Sequence, residues 1–159
     1  MSSFRIHALS ELPFVALFDL DDSELAARNM QRVIADASPG FPCRVSLQDA
    51  AIGEELLLLP FEHLPEASPY RACGPIFVRR DAQRTALAPG EIPASISSRL
   101  ISLRAYDGAH RMAHAEVCDG AALASHIDRA FQDPAVAYLH LHNARPGCFA
   151  CRVDRVGRI

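Results

Sequence analysis

The run AVAYLHLHNARPGCFACRVDR, Ala135 to Arg155, constrains the fold more than any other stretch of this chain. Side chains alternate across a strand, so Ala137, Leu139 and Leu141 point one way while Tyr138, His140 and His142 point the other. The loop from Asn143 to Gly147 carries the turn formers Pro146 and Gly147 and folds the chain into a hairpin. On the return strand Phe149, Cys151 and Val153 form an apolar set, and Cys148, Ala150 and Arg152 a mixed one. Register follows the buried faces. Matching the two apolar sets is expected to set His142 opposite Cys148 and His140 opposite Ala150. A hairpin with one apolar and one polar face needs a sheet that is covered on at least one side.

Upstream, FRIHAL reads as a short strand, SELPFVALF and DDSELAARN as short helices opened by Ser or Asp, and QRVIAD as an extended run. In SPGFPCRVSLQDA two prolines and a glycine force a turn, after which Cys43, Val45 and Leu47 alternate with Arg44 and Ser46; a half-buried strand is expected there. GEELLLLPFEHL reads as a central strand ending near Pro60, and PYRACGPIFVRR as a strand whose Pro75 sits at its start or on a sheet edge. IPASISSRL is a short helix, and ISLRAYD with RMAHAEVC a hairpin around Asp107 and Gly108. DGAALASHIDRAFQDP is the strongest helical pattern, with Asp119 as expected N-cap and a stop at Asp133–Pro134. Strands joined by hairpins with short helices between them indicate an α+β fold: a mostly antiparallel sheet with a few short helices packed on one face.

The chain has 159 residues, half of them hydrophobic, which suits one compact domain over residues 1–159. No apolar run approaches the roughly 20 residues of a membrane span, and the start lacks the basic and apolar segments of a signal peptide, so a cytoplasmic protein without a membrane partner is expected. Nineteen acidic against 16 basic side chains leave a net charge of -3, and the basic residues are scattered, which argues against nucleic acid as a partner. All sixteen are arginine. Lysine chemistry, whether a Schiff base or a P-loop, is therefore absent. The five cysteines are expected as reduced thiols.

Two histidines and two cysteines in twelve residues invite a metal reading, but the alternation puts Cys148 and Cys151 on opposite faces. A four-ligand zinc site needs all its donors within about 2.0 to 2.3 Å of one point. A three-ligand site from His140, His142 and Cys148 stays open but has no obvious carboxylate partner, and no metal and no cofactor are expected. The Cys-x-x-Cys also continues into a strand rather than opening a helix, unlike a redox pair, which makes Cys151 a core thiol and Cys148 the active candidate.

The same alternation collects Arg44 and Ser46, then Ser102, Arg104 and Tyr106, then Tyr138, His140, His142, Cys148 and Arg152 on polar strand faces. Arginine forks and imidazoles suit a carboxylate or phosphate. The candidate chemistry is His140 or His142 as general base and Cys148 as nucleophile. Arg44, Arg104, Tyr106, Tyr138, Asn143 and Arg152 are the candidate ligand-binding residues, with His63 and Tyr70 at the border. The expected function is a small-molecule binding protein or enzyme for an anionic ligand; the competing reading is a non-catalytic interaction module in which these side chains only stabilise the fold. No motif decides whether a reaction is catalysed.

At PGFPCRVSL, PYRACGPIFVR, LISLRAYD and YLHLHNARPGCFACRVDR the chain resembles the bacterial family designated domain of unknown function 1203, in the same order along nearly the full length. The resemblance implies a small single-domain bacterial protein. It brings no catalytic residue with it and implies no role for Cys73 or Cys151.

Overall fold

A computed structural model describes residues 4–157 of the chain. Among these residues eight strands run antiparallel in two sheets: β1 (Phe4–His7), β2 (Gln31–Ile34), β3 (Glu55–Leu64), β4 (Ala72–Arg79), β5 (Leu100–Asp107), β6 (Met112–Asp119), β7 (Val136–Asn143) and β8 (Phe149–Arg155). Five of them form one sheet in the order β1-β8-β7-β5-β6, and β2-β3-β4 form the other. Three short helices, α1 (Asp22–Ala27), α2 (Ala94–Ser97) and α3 (Leu123–Ala130), and two 3-10 turns complete the α+β fold.

The five-stranded sheet has the two-faced character of the final hairpin throughout. Ile101, Leu103, Ala105, Leu139, Leu141, Cys151 and Val153 share one buried cluster with Leu123 and Ile127 of α3 and Phe4 and Ile6 of β1. Alternation in three successive strands thus makes one apolar face, and α3, with its apolar side at helical spacing, covers it. A second cluster joins Leu57, Leu59, Ile76 and Val78 of the smaller sheet to Phe14, Phe18 and Leu25 from the segment before β2. α1 opens on a capping box: Asp21 accepts from the Glu24 amide at 2.7 Å and Glu24 accepts from the Asp21 amide at 2.8 Å.

Several sequence expectations are corrected. Cys43–Leu47 is a turn with isolated bridges rather than a strand, and Leu47 adopts φ +52°. The alternation of Cys43, Val45 and Leu47 nonetheless buries all three, because the turn is folded into the core. β3 does not stop near Pro60 but continues to Leu64. Pro60 lies past the last β2 pair, so its missing N–H breaks no bond on that side, and across the sheet it faces Pro75 of the edge strand β4. Asp119 makes no side-chain cap. The chain first makes a 3-10 turn over Gly120–Ala122, and α3 begins at Leu123.

The β7–β8 register also differs from the expected one. His140 faces Arg152 and Leu141 faces Cys151, after which the register shifts and His142 faces Phe149, leaving Ala150 as the extra residue of a bulge. The bulge moves Phe149 out of the apolar set and onto the side of His142. Cys151 stays in the core as expected, and complete burial raises its thiol pKa well above the ordinary value.

Candidate functional site

The polar residues of β5, β7 and β8 form one surface of the five-stranded sheet. His140 sits in a row between Arg104 and Arg152, Ser102 faces His142, and Tyr106 faces Tyr138. The structure therefore brings together six of the sequence-predicted residues. It buries four of them, His140 at 2 % exposure, His142 at 1 %, and Tyr106 and Tyr138, and leaves Arg104 and Arg152 half-buried.

The end of β3 covers them. A register irregularity between Phe61 and Leu64 brings His63 over the sheet, stacked on Phe149 with ring centroids 5.2 Å apart and edge-on to His142 at 4.9 Å. His140 is 6.0 Å from His63, centroid to centroid, and Tyr106 stacks on Tyr138 at 5.4 Å. Arg152 lies 4.2 Å above the Tyr138 ring and is held by Asp154, while His110 Nδ1 shares a hydrogen bond with the Tyr138 hydroxyl at 2.9 Å. Tyr70, the other expected border residue, stands edge-on to Tyr106 at 6.2 Å.

Electrostatics follow from this enclosure. Burial, reinforced by the neighbouring imidazoles and arginines, lowers the pKa of His140 to about 3. Burial likewise brings His142 to about 4, partly opposed by the hydrogen bond that its Nδ1 donates to Gly147 O at 3.0 Å. Tyr138 is raised to about 12 by burial, and His63 is lowered for the same reason. His63 Nδ1, His140 Nδ1 and His142 Nε2 are buried without a hydrogen-bond partner. Among the described residues no three His, Cys, Asp or Glu side chains converge on a point that a metal ion could occupy.

A cavity of about 780 Å³ opens beside this layer, and neither histidine lines it. Its wall is made by the 40–44 segment, by Leu58, Pro75 and Phe77 of the smaller sheet, by the end of α2 with the turn at Gly120, and by the β7–β8 loop. Three predicted residues meet there: Arg44, Asn143 and Cys148. The Arg44 backbone is tied on both sides, its amide to Phe77 O at 3.0 Å and its carbonyl to the Leu9 amide at 3.0 Å. That anchoring aims the side chain at the start of β8. Nε donates to Phe149 O at 2.6 Å, Nη1 to Pro42 O, and Nη2 to Cys148 Sγ at 3.0 Å. Asn143 Nδ2 donates to the same sulfur at 3.5 Å.

Arg44 is 2 % exposed, and among the described residues no carboxylate forms an ion pair with it. Burial lowers its pKa from the ordinary value, while the Cys148 sulfur acts in the opposite sense. Two further arginines line the cavity. Arg99 is paired with Asp49 at 2.6 Å, and Arg145 stands exposed on the β7–β8 loop. Asp119 is the one carboxylate on the wall, so the lining is cationic on balance, with Leu58, Phe77 and three prolines as its apolar part.

Sequence reasoning missed Arg99, Arg145 and the glycine at 120. Arg99 and Asp49 are fifty positions apart, and no local pattern links them. Gly120 left a signal, a glycine directly after an expected cap. A Cβ there would come within 2.2 Å of Ile96 O and 2.7 Å of Arg99 O, which is why the position holds glycine.

No curated protein and no solved structure matches this chain. No described helix is long and apolar enough to cross a membrane. A family model described as "Protein of unknown function (DUF1203)" matches residues 40–155, a span that contains every residue lining the cavity, and the chain belongs to that family.

Proposed function

We propose that the cavity binds a small organic anion with an apolar body, its charged group directed to Arg44. The carrying observation is the buried guanidinium without a carboxylate partner. A desolvated charge is costly unless an opposite charge offsets it, and an anion entering the cavity supplies one. The guanidinium fork matches a carboxylate or phosphate, and the exposed Arg145 on the cavity wall adds a further positive charge. Leu58, Phe77 and Pro75 suit the ligand's hydrocarbon part, and the volume lies within the range of small-molecule sites, about 300 to 1,000 Å³. Arg104, Tyr106, Tyr138, His140, His142 and Arg152 do not line the cavity and form the layer beside it.

The test is a thermal-shift screen of aliphatic and aromatic carboxylates and phosphate monoesters, each beside its neutral amide or alcohol. Anions are expected to raise the melting temperature of the wild type more than their neutral counterparts do. Arg145→Ala, an exposed substitution that leaves the core intact, should reduce that shift. Equal shifts for charged and neutral members of every pair would overturn the reading.

A further inference from the structure

We propose that Cys148 is a nucleophile of this cavity, and that its substrate class is a small anion carrying an electrophilic carbon next to its charged group. The inference rests on the anion-binding reading above and adds a reaction to it. Cys148 is half-buried on the cavity wall, and two buried donors converge on its sulfur: Arg44 Nη2 at 3.0 Å and Asn143 Nδ2 at 3.5 Å. The chain's other thiols have other settings. Cys43, Cys118 and Cys151 are buried, and Cys73 is exposed on β4. Cys148 alone among the five touches both the cavity and an arginine.

The geometry assigns different parts of a ligand to different groups. An anionic head drawn to Arg44 lies beside the sulfur, because the same guanidinium contacts Sγ, so the carbon next to that head is the one within reach of attack. In the step itself the sulfur attacks that carbon. An S–C bond forms, the bond from carbon to the leaving group breaks, the leaving group departs with the bonding pair, and the thiol proton goes to water. No redox partner is needed. Arg44 and Asn143 hold the sulfur in place for attack and donate to it while it is unbonded.

Two alkylating probes of nearly equal size separate this arrangement from an ordinary accessible thiol. Iodoacetate carries the charge next to its electrophilic carbon, and iodoacetamide does not. Labelling rates are measured on the full folded chain by peptide mass spectrometry, with the exposed Cys73 as internal reference. The ratio of the iodoacetate rate to the iodoacetamide rate is expected to be at least about threefold higher at Cys148 than at Cys73, because a fixed positive charge concentrates the anion at the sulfur. A smaller difference, or a Cys148 that stays unlabelled while Cys73 reacts, overturns the proposal.

Cys148→Ser separates this failure from failure of the binding reading. If the variant keeps the anion-dependent thermal shift while the wild-type ratios are equal, the cavity binds anions and Cys148 is not its nucleophile. If the wild type itself shows no preference for anions in the thermal-shift screen, the binding reading fails first.

Discussion

At Arg44 a single side chain serves both the fold and the cavity. Its donor to Phe149 O joins the 42–47 turn to the last strand, its donor to Pro42 O braces the turn itself, and its third donor reaches the thiol on the cavity wall. Lysine keeps the charge but offers one nitrogen in place of three fixed ones. Arg44→Lys is therefore expected to lose about 2 kcal/mol of stability in urea titration, as carbonyls lose their donors. The histidines have the opposite character, being held neutral. With folded values of about 3 for His140 and about 4 for His142, against about 6.5 in an unfolded chain, the unfolded state binds more protons throughout that interval. The contribution of these two histidines to stability should be level above about pH 7 and fall by several kcal/mol, to order of magnitude, as the pH drops towards 4. His140→Phe removes one titrating group and one unpartnered nitrogen, so its urea midpoint should depend less on pH over the same range. An unchanged pH dependence would show that His140 is not held neutral.

Among the elements, the two places where a strand departs from regularity position the chemistry. The bulge at Ala150 turns Phe149 against His63, and the irregularity in β3 between Phe61 and Leu64 delivers His63 to it. Bulges leave little trace in a hydrophobic pattern, because one extra residue reads as a continuation of the strand. For this reason the final hairpin and its loop were legible while its register was two residues off at His140 and one at His142, and Phe149 was assigned to the wrong face. The join between the end of α2 and the 3-10 turn before α3 has a similar dependence on one residue. The Gly120 amide donates to Arg99 O at 2.8 Å, and backbone crowds the space a side chain would need. Gly120→Ala should cost more than about 2 kcal/mol by chemical denaturation, because backbone rather than a flexible side chain must move.

Across the whole molecule the two sheets meet through the rings of His63, Phe61 and Phe149 and through the bonds of Arg44. The chain has no tryptophan and three tyrosines, and Tyr106 stands against both Tyr70 and Tyr138 near this seam. Tyrosine fluorescence thus reports the seam while far-ultraviolet circular dichroism reports both sheets. The two signals are expected to give the same urea midpoint, because separating the sheets would expose the imidazole layer and break the Arg44 bonds together. A fluorescence transition well ahead of the dichroism one would mean that the sheets unfold independently.

Local chemistry by itself determined most of the strands, the two-faced hairpin, the core position of Cys151 and the placing of Ser102, Arg104, Tyr106, Tyr138, His140, His142 and Arg152 each on the polar side of its own strand; that those sides adjoin came from the pairing of β5, β7 and β8. Alternation and turn residues act between neighbours in the chain, so they can be read there. Only the tertiary structure decided that the strands divide into two sheets, that the end of β3 closes over the histidines, and that Arg44 meets Asn143 and Cys148 at a cavity. Those outcomes depend on contacts between residues as far apart as 44 and 148. They follow from which surfaces exclude water when packed together, and no local pattern encodes that choice.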